Sequence, residues 1–161
     1  MKILLLYPMW TGSYVGINKY FARKNGGAFP PLNLALLAAI AQKQGHTVEI
    51  IDAEVGKLSK EDVVSMAMEK KVDLIGMSGM SPFFHLSKEI ATALKEKGEK
   101  AKICIGGPHI TIVEEQVFDK AFDFAFIGDA EESWPKFLEV YSNNESLETV
   151  PGLIYRLGGQ V

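Results

Sequence analysis

The stretch Ile103-Cys104-Ile105-Gly106-Gly107-Pro108-His109 (ICIGGPH, residues 103–109) begins as a buried strand and stops abruptly. Three β-forming residues precede two glycines, and Pro108 then fixes φ and removes a backbone donor, so the strand ends there. One glycine is enough for a turn. A second means a backbone that must bend further, or one against which something bulky lies. Apolar at each position and small at its end, the strand reads as part of a parallel sheet covered on both faces.

Working outward, the same pattern recurs. Ile3–Tyr7 (ILLLY), Thr47–Ile51 (TVEII), Leu74–Ser78 (LIGMS), Lys102–Ile105 (KICI) and Asp123–Ile127 (DFAFI) read as strands, four of them without strict polar alternation. Helical patterns lie between them. Leu32–Gln44 is apolar almost all round and stops at Gly45. Ser59 and Asp62 form a capping-box pattern opening a helix to about Lys70. Leu86, Ile90 and Leu94 share a face of a third helix that Gly98 closes, and a short helix is expected around Ile112–Phe118. Trp134, Phe137, Leu138 and Tyr141 mark a strongly amphipathic last helix.

Such alternation predicts an α/β fold: a flavodoxin-like, doubly wound parallel five-stranded sheet of order 2-1-3-4-5. Val150–Arg156 reads as an extra strand, antiparallel at an edge near the C-terminus. Pro8–Pro31 is a long irregular segment, of a length usually functional or disordered.

With 161 residues the chain makes one domain. Net charge −3 and the lack of a dominant Lys/Arg cluster argue against a nucleic-acid-binding face. The single Cys104 leaves no disulfide framework, which points to the cytoplasm. The apolar run Ile3–Tyr7 is too short for a signal peptide's core, and no run reaches the roughly 18 apolar residues of a membrane span.

In an open parallel sheet, ligands bind beyond the carboxyl ends of the strands. Three of those ends are crowded with small residues: Met77-Ser78-Gly79-Met80-Ser81, Gly106-Gly107-Pro108-His109 and Gly128-Asp129-Ala130-Glu131. Neither G-x-G-x-x-G nor G-x-x-x-x-G-K-[ST] follows the first strand, so nicotinamide and Walker-type ATP sites are unsupported. Three adjacent small-residue rims suit a broad, flat ligand lying across the sheet edge.

Ser78-Gly79-Met80 followed after 25 residues by Gly106-Gly107 resembles the S-x-L…G-G pair of cobalamin-binding domains. The closer resemblance is to the amino-terminal cobalamin-binding domain of class B radical-SAM enzymes, such as methyltransferases and the anaerobic magnesium-protoporphyrin monomethyl ester cyclase. Its features stand in order: Pro30-Pro31-Leu32, Gly45-His46-x-Val48, Gly106-Gly107-Pro108-His109-x-Thr111, Gly128-Asp129-Ala130-Glu131-Glu132-Ser133 and Pro151-Gly152-Leu153-x-Tyr155-Arg156. The resemblance implies that residues 1–161 form one cobalamin-binding-like Rossmannoid domain at the front of a longer radical-SAM protein. Ser78 and Ser81 would then hydrogen-bond the cofactor's nucleotide tail, with Gly79, Met80, Pro108 and His109 beside them. Gly106 would make the turn, Gly107 would leave room for the tail, and Gly128, Asp129 and Glu131 would close the far wall.

Two departures qualify the resemblance. D-x-H-x-x-G, whose histidine ligates cobalt in methionine synthase and the mutases, is absent, so no such lower axial ligand is expected. C-x-x-x-C-x-x-C is also absent, so S-adenosylmethionine and a 4Fe–4S cluster would belong to a downstream radical-SAM domain. On this reading the chain itself is not catalytic and has no metal ligands of its own. A second reading keeps the fold without the cofactor, as a vestigial docking module. A response-regulator domain is disfavoured, because Pro8 and Met77-Ser78 stand where its acidic residues belong.

Single residues keep plainer readings. Gly106-Gly107 also fits a simple tight turn. His109 fits a helix cap or a cofactor contact better than a metal ligand, since no second ligand stands at ligand spacing. His46 reads as structural, and His85 has no partner visible in sequence. Asp129, Glu131 and Glu132 read either as an acid pair or as first-turn carboxylates with Asp129 as cap. Cys104 reads as a small buried hydrophobe. Trp10, Tyr14, Tyr20 and Phe21 either line the lower face of the corrin or anchor the long loop.

Overall fold

The computed structural model describes residues 1–8, 30–113 and 118–156. Its strands are β1 (Lys2–Tyr7), β2 (Thr47–Asp52), β3 (Leu74–Ser78), β4 (Lys102–Gly106), β5 (Phe124–Phe126) and β6 (Leu153–Tyr155). They form one sheet in the order β2-β1-β3-β4-β5-β6, parallel throughout except for β6, which runs antiparallel to β5. The expected five-strand order and the antiparallel edge strand are both present.

The helices are α1 (Leu32–Lys43), the single turn α2 (Ala53–Gly56), α3 (Lys60–Lys70), α4 (Phe84–Glu96), α5 (Pro108–Val113) and α6 (Ala130–Ser142). Their ends follow local chemistry. Ser59 and Asp62 close a reciprocal capping box at the start of α3. Gly45 and Gly98 take positive φ just past α1 and α4. One expectation needs correction: the short helix begins at Pro108 and not near Ile112, and Phe118 lies outside it. Proline at a first helical position loses no hydrogen bond, so α5 springs directly from the glycine pair.

Two apolar layers sandwich the sheet. On one face α3, α4 and α5 cover Leu4, Leu6, Ile75, Met77, Ile103 and Ile105. On the other, α1 and α6 cover Ile3, Leu5, Leu74, Cys104, Phe124 and Phe126. The α6 aromatics pack edge-on or stacked, with Phe126 5.8 Å from Trp134 and Phe124 4.9 Å from Phe137 between ring centroids. Among the described residues, no helix is long and apolar enough to cross a membrane.

Candidate functional site

Between the sheet and the α1/α6 layer lies a cavity of about 600 Å³ that opens at the carboxyl edge. Its origin is a size alternation along the two central strands. On β3, Ile75 and Met77 face the α3/α4 layer, while Gly76 and Ser78 line the cavity. On β4, Ile103 and Ile105 are the large residues, and Cys104 and Gly106 line it. Register places Gly76 beside Cys104 and Ser78 beside Gly106, so four small side chains make one trough. Leu34 and Leu37 of α1 and Trp134 of α6 wall it from the far side. The Trp134 indole N–H donates to the Leu37 carbonyl at 3.1 Å, tying the two walls together.

The three small-residue loops meet at the mouth. The Gly79 amide donates to the Gly106 carbonyl at 2.7 Å, and the His109 amide donates to the Gly79 carbonyl at 3.1 Å. Gly107 has φ +108°, and a β-carbon there would stand 2.9 Å from the Gly79 oxygen. The second glycine is therefore needed where two backbones cross. Gly106, by contrast, is a regular strand residue whose added β-carbon would meet Phe126 at an ordinary 3.6 Å. The turn expected at Gly106 is made by Gly107, and both glycines line the cavity. Thr111 joins the second and third loops, its hydroxyl donating to the Gly107 carbonyl at 3.2 Å and accepting from the Gly128 amide at 3.0 Å.

Of the residues expected at a ligand rim, Ser78, Gly106, Gly107, Pro108, Gly128, Asp129 and Glu131 line this cavity. Gly79, Met80, Ser81 and His109 do not. Gly79 is buried in the loop crossing, Met80 is exposed, and Ser81 opens a short 3₁₀ turn (Ser81–Phe83) that leads into α4. The His109 ring packs against Phe84, centroids 4.3 Å apart. Asp129 occupies the α6 cap position without a side-chain bond to it. His46 Nδ1 lies 3.2 Å from the Met1 amino group, and burial holds its pKa below the usual imidazole value. Trp10, Tyr14, Tyr20 and Phe21 lie outside the described residues.

Sequence reasoning missed Asn33, Gly76, Thr111 and Trp134 as cavity residues. Gly76 had a signal, since glycine inside a strand marks a close approach; its added β-carbon would stand 2.7 Å from Leu5 Cδ2. The alternation of large and small residues in LIGMS and ICIGG was also there to read. Asn33 Nδ2 donates to Ser78 Oγ at 3.2 Å across 45 residues, which no local pattern announces.

Electrostatically the cavity is apolar inside and acidic at one lip. Among the described residues that line it none is Lys, Arg or His, and Asp129 and Glu131 stand beside Gly128. Burial and the nearby Asp123 charge push the Cys104 thiol up to about 12, so the floor of the trough is uncharged. Among the described residues a polyphosphate would find no cation at this lining. A largely neutral ligand with an aromatic or aliphatic body fits, and the volume lies within the usual range for small-molecule sites.

Comparison with known proteins agrees with that chemistry. The chain is 26% identical over 163 residues to the uncharacterized methyltransferase PH0819 of Pyrococcus horikoshii, covering all of this chain and 34% of that protein. It is 26% identical over 165 residues to the anaerobic magnesium-protoporphyrin IX monomethyl ester cyclase of a Synechocystis species, again over all of this chain and 32% of that one. The chain thus spans about a third of the length of these curated relatives. Among solved structures, the radical S-adenosylmethionine methyltransferase TsrM from Kitasatospora setae, with cobalamin and a 4Fe–4S cluster bound, superposes with a TM-score of 0.76. The identity is 16%, and the match covers 98% of this chain and 27% of that one. The cobalamin-dependent radical enzyme OxsB, with aqua-cobalamin and S-adenosylmethionine bound, also gives 0.76, at 18% identity over 99% of this chain and 21% of that one. These two likenesses establish the shared fold. The sequence matches the B12 binding domain family over residues 19–138, and the chain belongs to that family.

Proposed function

We propose that this B12-binding-family chain is the cobalamin-binding module of a radical-SAM enzyme, its cavity receiving the cofactor's nucleotide tail. The observation that carries the reading is the trough of Gly76, Ser78, Cys104 and Gly106, roofed by Leu34, Leu37 and Trp134 and open at the carboxyl edge. The residues fit the group. An aromatic base suits the apolar trough, and a phosphodiester bears one charge, which neutral donors such as the Ser78 hydroxyl can meet without a cation. Leu32 and Ile112, 75% and 72% exposed near the mouth, offer apolar surface to a macrocycle.

When bound, cobalamin supplies a cobalt centre able to carry a methyl group or to take part in radical chemistry. The chain's own part is to hold and orient. Ser78 donates to the tail, Gly106 keeps the trough open, and Gly128, Asp129 and Glu131 form the opposite lip. Gly79, Met80, Ser81, Pro108 and His109 support the loops around the mouth. The D-x-H-x-x-G motif is absent from the sequence, so the proposal assigns the cobalt no protein imidazole of that type. S-adenosylmethionine and the 4Fe–4S cluster belong, in this proposal, to a radical-SAM domain downstream of residues 1–161, where methyl transfer or cyclisation takes place.

The test is a titration of the purified chain with hydroxocobalamin, followed by its visible spectrum and by equilibrium dialysis. Binding by the wild type is expected, and its loss in Leu37→Trp, which fills the cavity from the α1 side, with the far-UV circular dichroism unchanged. A wild-type chain that retains no cobalamin overturns the proposal and favours a docking module of the same fold.

A further inference from the structure

Asn33 stands on the first turn of α1, opposite the carboxylate lip of the cavity, and lines it together with Ser78. Its Nδ2 donates to Ser78 Oγ at 3.2 Å, the one hydrogen bond made by that hydroxyl among the described residues. Direction matters here. A hydroxyl has one proton and two lone pairs, and an amide N–H that fills a lone pair leaves the proton to be given elsewhere. The Ser78 carbonyl separately accepts from the Ser87 hydroxyl at 3.1 Å, which ties the end of β3 to α4.

Resting on the cobalamin reading above, we propose that Asn33 is the positioning residue for the tail phosphate: it turns the Ser78 O–H into the cavity and adds its own second N–H beside it. The cavity lining explains why this corner takes the charge. Asp129 and Glu131 repel an anion from the far lip, and among the described residues that line the cavity none is a cation. The Thr111 hydroxyl is already committed to Gly107 and Gly128. Among the described lining side chains, Asn33 and Ser78 are what remains to donate.

Asn33→Asp tests the proposal, because it keeps the shape and inverts the hydrogen-bonding sense. The carboxylate accepts the hydrogen bond that the Ser78 O–H donates, turning it from the cavity, and presents negative charge to the phosphate. The variant chain is titrated with hydroxocobalamin and, separately, with cobinamide, which lacks the nucleotide tail. Cobalamin affinity is expected to fall at least about tenfold, as for loss of a hydrogen bond to a charged group, with cobinamide affinity unchanged. Asn33→Ala is expected to weaken cobalamin binding less than Asn33→Asp does. Folding moves the other way: α1 has no acidic residue in its first turn, and a carboxylate there suits the helix dipole, so the Tm of Asn33→Asp is unchanged or raised. Equal cobalamin affinity in the wild type and Asn33→Asp overturns the role of Asn33. So does an equal loss of cobalamin and cobinamide. Failure of the wild type to bind cobalamin at all is the separate failure of the underlying reading.

Discussion

Gly107 and Gly79, on adjacent loops at the end of the sheet, lie so close that a β-carbon on Gly107 would sit 2.9 Å from the Gly79 carbonyl oxygen and 3.3 Å from its nitrogen. The two loops are also linked through the His109 amide, which donates to that same oxygen. Positive φ and backbone crowding act together at one residue.

Gly107→Ala is accordingly expected to lose about 2 kcal/mol or more of stability, since neither the φ of +108° nor the crossing backbone can yield cheaply. Gly106→Ala is expected to change stability by less than about 1 kcal/mol, its new methyl meeting Phe126 at ordinary contact distance. Urea unfolding of the two variants, side by side, checks the assignment of roles. Equal losses would contradict it.

Thr111→Val keeps the shape of the side chain and removes both hydroxyl bonds. The expected loss is about 1 kcal/mol in urea unfolding. Amide exchange supplies the sharper measurement: protection at Gly128 falls, because its N–H is held by Thr111 Oγ1 at 3.0 Å, while protection in β1 and β3 is unaffected.

Asp123, at the opposite end of the sheet, sets a pH dependence. Burial alone would raise its pKa; the Lys95 ammonium, the Ile103 amide at 2.8 Å and the Lys102 ammonium at 3.2 Å outweigh that and hold it below the usual carboxylate value. Its folded pKa lies below the unfolded one, so the stabilisation is present above the unfolded value of roughly 4 and is lost as pH falls through the folded value. Asp123→Asn is expected to be less stable than the wild type at pH 7, with the difference shrinking below about pH 4. Thermal unfolding across that range reads it directly.

Trp134 lines the cavity and is one of two tryptophans in the chain, the other being Trp10. In a Trp10→Phe background, cobalamin is expected to quench the remaining indole fluorescence by energy transfer with the same midpoint as the visible-spectrum titration. Unchanged emission at saturating cobalamin would place the ligand away from this cavity.

Much of the fold was legible because buried parallel strands announce themselves as apolar runs, and because Gly45, Gly98 and the Ser59–Asp62 box mark helix ends through local chemistry. Pro108 was harder, since Gly-Gly-Pro reads as loop until one weighs proline's tolerance at a first helical position. The rim loops were legible from their small residues. The cavity behind them was not, because it depends on register: Gly76 and Cys104 make a trough only once β3 and β4 pair side by side. Asn33 was invisible for the same reason, its partner lying 45 residues away. Local pattern carries elements well and carries the meeting of distant elements poorly.

The bond from the Trp134 indole to the Leu37 carbonyl spans 97 positions, and the Gln44 amide reaches the Pro135 carbonyl across 91. The cavity therefore has no early version during synthesis. Its floor pairs β3 with β4, but its roof is complete only when α6 has docked against α1. Loop closure over so many residues is among the slower events in folding. A ligand can therefore be held in this cavity only after α6 has docked against α1, whatever the order in which the strands pair.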